Sequence, residues 1–314
     1  MKNYTVRRYH SDDVALWNAF VSSAQNATFL FHRDFMEYHA DRFQDYSLLV
    51  FEEEKLVSII PANTTEDKVY SHNGLTYGGF VLNQTVAEND FEKIYAAVVD
   101  FLKKADKKQL VIKEMLPFYS QNNTIDFRDF FNKNRVKITD RKMNLAINFK
   151  SDYTISKSKK KHYRRLQSAG LVVKKEACFE VFWTKVLTPL LAEKYHTKPL
   201  HSLSEITFLQ HKFPHNIEQY NLYQGEEILA GITIFKTQKA VKSQYGATTE
   251  NGKKHRALDY LFIHLIEKFS NTFDYFDMGT VDDDSDLGYN EGLLNQKKEL
   301  GCTLYSQNTY QIAL

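Results

Sequence analysis

Phe91-Glu92-Lys93-Ile94-Tyr95-Ala96-Ala97-Val98-Val99-Asp100-Phe101-Leu102 is the stretch whose reading decides the fold. Its apolar residues Phe91, Ile94, Tyr95, Val98, Val99 and Leu102 recur at i, i+3, i+4, i+7, i+8 and i+11. That spacing predicts an amphipathic helix with one stripe turned to a core. The same beat returns in Leu258, Leu261, Phe262, Leu265, Ile266 and Phe269. Two such helices point to two copies of one folding unit. Their offset, near ~165 residues, is far too long for a solenoid repeat.

Working outward, the flanking segments repeat as well. The only two tryptophans, Trp17 and Trp183, fall at matching places, each after a short strand (Tyr4–Arg8 and Leu171–Lys175). A hairpin follows in each copy. Leu48–Phe51 meets Leu56–Ile60 across Glu52-Glu53-Glu54-Lys55, and Tyr220–Tyr223 meets Ile228–Phe235 across Gln224-Gly225-Glu226-Glu227, β-rich runs about polar turns. A further strand is expected next, with Gly74 and Gly246 just after it. Beyond each striped helix come a strand (Leu110–Ile112, Tyr275–Asp277), a shorter helix and a closing strand (Asn144–Asn148, Thr309–Ala313). The order implies an α/β (α+β) architecture with mixed sheets. Two domains are expected, 1–150 and 151–314, the second entered through the polar, basic connection Lys150–Gly170. A duplicated domain commonly builds a ligand cleft between its copies.

Composition narrows the function classes. The 314 residues are 43% hydrophobic and 25% charged, ordinary for a globular protein, so disorder is excluded. The aromatic share is high, with 19 Tyr and 23 Phe, which fits aromatic cores or a cleft lined for a sugar or base. A net charge of +2 gives no support to strong non-specific nucleic-acid binding. Cys178 and Cys302 stand far apart and form no metal or redox motif. No signal core and no run long enough to span a bilayer is present, so the reading is cytoplasmic.

The element order resembles the GNAT acyltransferase fold, and two such units resemble the Fem-type aminoacyl-tRNA-dependent transferases. Ser158-Lys159-Lys160-Lys161-His162-Tyr163-Arg164-Arg165 before Gly170 is similar to the basic helix that enters the second Fem domain. Asn290-Glu291-Gly292-Leu293-Leu294-Asn295-Gln296-Lys297-Lys298-Glu299-Leu300-Gly301 resembles that family's "GL..fK..FG" segment. Wording such as Lys198-Pro199-Leu200-His201-Ser202 and Ala257-Leu258-Asp259-Tyr260-Leu261 is similar to GNAT-family proteins of Bacteroidetes-type bacteria. The resemblance implies a bacterial acyltransferase acting on a sugar or cell-envelope precursor. The GNAT pyrophosphate loop, Gln/Arg-x-x-Gly-x-Gly/Ala, is departed from: Gly252-Lys253-Lys254-His255-Arg256-Ala257 keeps only the final small residue.

Candidate site residues follow from both lines. Lys253, Lys254, His255 and Arg256 open directly into the second striped helix, whose N-terminus offers unpaired N–H groups to a phosphate. A phosphate-bearing donor is therefore expected in copy two; the matching loop of copy one carries Glu88 and Asp90. The resemblance implies an oxyanion-binding strand amide near Gly246, flanked by Gln244 and Tyr245. Asp277 at a strand end and His201 are candidates for proton handling. Lys297 matches the lysine that Fem-type enzymes place near the transferred acyl group, with Asn132 as its counterpart in copy one. On the acceptor side, Tyr77-Gly78-Gly79 permits close backbone approach. The resemblance places His32 and Arg33 where Fem-type enzymes hold the phosphates of a nucleotide-linked sugar.

No metal is expected. His211 and His215 have helical ligand spacing, but Pro214 intervenes. Ser202 with Glu205 reads as a capping box that sets His201 just before a helix. Three functions remain open. The first is an acyltransferase using acetyl-CoA or another acyl-CoA, with an amine or sugar-like acceptor. The second is a Fem-type transferase using aminoacyl-tRNA, favoured by the basic stretch Lys157–Arg165. The third is a binding module that has lost the chemistry. The oligomeric state is not readable.

Overall fold

Both striped helices form, at Glu88–Lys104 and Ala257–Phe269, and bury the predicted faces. A computed structural model describes residues 3–121 and 125–314. The chain divides into two compact units, unit 1 (Met1–Lys142 with Ser306–Leu314) and unit 2 (Met143–Tyr305). The division falls at 142/143 where the sequence placed it at 150/151, and the last residues return to unit 1. The first closing strand pairs at Asn144–Asn148 with Tyr275–Thr280, and the second at Thr309–Ala313 with Gln109–Lys113.

In chain order unit 1 contains β1 (Tyr4–Arg8), α1 (Val14–Ser23), α2 (Arg33–Met36), β2 (Leu48–Glu52), β3 (Lys55–Ile60), β4 (Asn63–Thr65), β5 (Lys68–Ser71), β6 (Val81–Leu82), α3 (Glu88–Lys104), β7 (Gln109–Lys113) and α4 (Phe127–Lys133). β8 (Lys137–Asn148) then leads onward. Unit 2 continues with α5 (Lys157–Leu166), β9 (Leu171–Glu176), α6 (Glu180–Phe182), α7 (Thr188–Tyr195), α8 (Leu203–Lys212), β10 (Ile217–Gln224), β11 (Glu227–Lys236), β12 (Ala240–Thr248), α9 (Glu250–Lys254), α10 (Ala257–Phe269), β13 (Tyr275–Thr280) and α11 (Glu291–Glu299). β14 (Thr303–Ala313) closes the chain.

Unit 1 has a sheet in the order β1-β2-β3-β6 and strands in the order β4-β5-β7-β14, with β5 and β7 parallel. Phe91, Ile94, Val98 and Leu102 of α3 join Leu110, Ile112, Tyr310 and Ile312 in one core. Unit 2 is ordered β8-β13-β12-β11-β10-β9, antiparallel except for β12 and β13. Its core packs α10 against β10, β11 and β12, and includes Tyr163 and Leu166 of α5. Lys150–Gly170 is thus no free connection; half of it is a helix built into unit 2. Gly246 also departs from expectation, lying within β12 and not beyond it.

The two tryptophans hold equivalent joints. The indole N–H of Trp17 donates to the Phe31 carbonyl at 2.7 Å, and that of Trp183 to the His201 carbonyl at 3.2 Å. Each buried ring thereby fixes the turn that precedes the next helix, which satisfies the one polar atom of an otherwise apolar side chain.

Candidate functional site

The polar residues of unit 2 converge where β12 and β13 part. These parallel strands pair at Ala240–Tyr275, Val241–Phe276 and Lys242–Asp277, and β12 then runs on along β11 alone. Between Tyr245 and Ser243 the β11–β12 register slips, leaving Gln244 as an extra, bulged residue. The Gln244 Oε1 atom is buried and accepts no hydrogen bond among the described residues.

Asp277 is 1% exposed at the parting point. Its Oδ1 accepts from Asn144 Nδ2 at 2.7 Å and from the Gly279 N–H at 2.7 Å, and its Oδ2 lies 3.0 Å from Lys242 Nζ. Three donors thus hold this buried carboxylate in place. Lys297 comes from α11 and is 5% exposed. Its ammonium donates to the carbonyls of Gly279 (3.0 Å) and Thr280 (2.8 Å), so two of its three N–H groups are spoken for. Burial pulls its pKa down to about 8, opposed by Asp277 and assisted by Lys242. The sequence brought Asp277 and Lys297 forward as candidates, and the fold puts them in one cluster. Lys242 and Asn144 were missed. Their signal is a long-range strand pairing that no local pattern carries.

His201 belongs to a second group on β12. Its Nδ1 lies 2.5 Å from the Tyr245 hydroxyl, whose oxygen also accepts the His201 N–H at 3.1 Å. The ring packs against Phe235 and Tyr245, and Tyr245 against Trp183. The Ser202–Glu205 capping box is present and starts α8 directly after it. Gly246 is exposed, and a Cβ there would make only ordinary contact with Phe262 at 3.5 Å.

The expected phosphate grip takes another form. Thr249 caps a separate one-turn helix, α9, whose Gly252 presses on the Leu229 carbonyl so closely that a Cβ would come within 2.1 Å. Lys253 pairs with Glu250, Arg256 pairs with Asp259 at 3.1 Å, and the His255 carbonyl is hydrogen-bonded to His162 at 3.0 Å. Lys254 is exposed. The α10 N-terminus holds its own anion: Asp259 sits in the first turn, bound by Lys159 at 2.6 Å and Gln296 at 2.8 Å. The macrodipole and cations expected to hold a ligand phosphate are therefore largely used inside the protein.

In unit 1, Arg33 is a structural residue, contrary to its expected place in a substrate site. It bonds Glu37 at 3.0 Å, Asp45 at 2.9 Å and Ser47 at 3.3 Å, and lies 3.8 Å above the Tyr9 ring. His32 caps α2 through the Asp34 N–H. Tyr77 is 1% exposed, its hydroxyl 2.9 Å from Thr28 Oγ1. Gly78 does permit close approach, but of this chain's own backbone: a Cβ would fall 2.0 Å from the Ser71 carbonyl. Lys297 and Phe131 each lie four residues before the left-handed residue ending their helix, Gly301 and Arg135. The counterpart of Lys297 is therefore buried Phe131, not exposed Asn132. Likewise Val111 follows Leu110, paired with Val69, as Asp277 follows Phe276, paired with Val241.

No family model matches the sequence, and no curated protein matches it. Solved structures do match in fold. FemX superposes with a TM-score of 0.69 at 11% identity, over 98% of this chain and 97% of that one. L-PGS from Bacillus licheniformis gives 0.58 at 12% identity, over 96% and 90%. A tandem GNAT protein from the clavulanic acid biosynthesis pathway gives 0.50 at 10% identity, over 100% and 98%. The chain has the Fem-type, tandem GNAT-like fold. Among the described residues no helix is long and apolar enough to cross a membrane.

Proposed function

We propose that the chain is an acyltransferase whose reaction centre is the Lys297–Asp277–Lys242 cluster of unit 2. The acceptor is an amine or hydroxyl of a sugar or cell-envelope precursor. The observation that carries this reading is the buried Lys297 ammonium, which has one N–H without a partner among the described residues and lies where β12 and β13 part. When the acceptor attacks an acyl carbonyl, negative charge develops on the carbonyl oxygen. A desolvated ammonium fixed by two carbonyls stabilises that charge without reorganising. Asp277 and Asn144 act as positioning residues through Gly279 and Lys242. Tyr245 and His201 contribute a hydroxyl–imidazole pair that suits relay of the acceptor's proton to the donor oxygen or sulfur, which leaves as the alcohol or thiol when its bond to the acyl carbon breaks.

The donor reading is an acyl ester carried on an RNA, as in aminoacyl-tRNA. Lys157, Lys160, Lys161, Arg164 and Arg165 share the outer face of α5 and form no ion pair among the described residues. They span about 12 Å, enough to follow successive backbone phosphates. One observation favours a second reading, a CoA thioester such as acetyl-CoA. The edges freed where β12 leaves β13 suit the amide-rich arm of such a donor. Thermal-shift and transfer assays separate the two. Stabilisation by charged tRNA that fades with salt, without response to acetyl-CoA, is expected; the converse pattern establishes the thioester reading. If Lys297→Met and Asp277→Asn both leave transfer intact, the site assignment is wrong.

A further inference from the structure

Unit 1 contains a cavity of about 380 Å³ that faces α4 and takes in Phe131, the counterpart of Lys297. Where unit 2 places the buried Lys297 ammonium, unit 1 places Phe131. The phenyl ring borders the hollow. Its walls are mainly apolar, with Phe80, Ile112, Phe127 and Phe131 among them.

Three charged side chains border it, and two cancel. Glu114 accepts from Arg128 Nε and Nη2, both at 2.8 Å, and from the Asn308 N–H at 2.9 Å. The third, Asp126, caps α4 through the Asp129 N–H at 3.0 Å and forms no ion pair among the described residues. One exposed carboxylate at an apolar hollow complements a single positive charge on an apolar body. A cavity of about 150 Å³ accepts benzene, so this one has room for roughly ten to fourteen carbon atoms.

We infer that unit 1 carries a binding pocket for an amphipathic primary amine, its apolar body among the phenylalanines and its ammonium at Asp126. Binding needs no acyl donor and no residue of unit 2, so its failure would leave the transfer reading untouched. The test titrates the full-length protein with decylamine, 1-decanol and decanoate by calorimetry. Decylamine should bind more tightly than 1-decanol, and decanoate least. Asp126→Asn, which retains a capping side chain, should weaken decylamine about threefold and leave 1-decanol unchanged. Met115→Trp, which thickens a half-buried wall, should abolish binding of all three. No binding of decylamine, decanoate bound as tightly as decylamine, or binding that survives Met115→Trp would each overturn the inference.

Discussion

The Lys159 ammonium lies 2.6 Å from the Asp259 carboxylate, and their side chains are only 3% and 10% exposed. The pair joins α5 to the first turn of α10 and neutralises a helix N-terminus from within. Removing one partner of such a pair strands the other in a low dielectric. Lys159→Met should therefore cost about 3 kcal/mol by chemical denaturation. The double variant with Asp259→Leu should recover much of that loss. A single variant as stable as the parent would show that Arg256 and Gln296 suffice for Asp259.

Lys297 gives a pH signature with a definite sign. Its pKa in the folded protein, about 8, lies below its ordinary value, so between the two the unfolded chain binds more protons. Stability should rise as pH climbs from about 8 toward the ordinary lysine value, because a costly buried charge is being discharged. Transfer should do the opposite and fall above pH 8 as the oxyanion donor is lost. Lys297→Met should lower kcat by roughly 10²–10³-fold and erase both trends. A rate that rises through pH 8 would instead make the neutral amine a base.

Arg33 should behave as a structural anchor. Arg33→Ala empties the space beside Tyr9 and Trp17, while Asp45 and Glu37, 35% and 48% exposed, keep contact with water, so the loss should be about 1–2 kcal/mol. Transfer by the protein that remains folded should keep its KM for the acceptor. A selective rise in that KM with unchanged stability would restore Arg33 to the substrate site.

The outer face of α5 predicts a salt dependence. Lys160→Gln with Lys161→Gln should weaken tRNA binding and reduce the slope of log affinity against log salt by up to about 2. Both side chains are exposed, so the melting temperature should hardly move. An unchanged slope would remove α5 from the RNA path.

The stripe helices and both hairpins were legible in the sequence because each is set by local spacing, and the matching places of the two tryptophans could be read from the repeat, though not the hydrogen bonds they make. Lys297 came forward as a candidate through a resemblance to a known segment. What could not be read was partnership across the chain. Nothing near Lys242 shows that it lies beside Asp277, and nothing near Asp259 shows that Lys159 fills its need for a cation. The basic run Lys253–Arg256 suggested a phosphate grip because sequence displays charges without their neutralising partners. Arg33 misled for the same reason. The helix-end geometry of Arg135 and Gly301 was equally hidden, and it moved the counterpart of Lys297 from Asn132 to Phe131.

The return of Ser306–Leu314 to unit 1 has a consequence for biosynthesis. Every residue of unit 2 precedes Ser306, yet the neighbour strand of β7 in unit 1 is translated after nearly all of them. The unit that begins first must finish second. During synthesis the β7 edge of the amino-terminal unit stays open until unit 2 has been made.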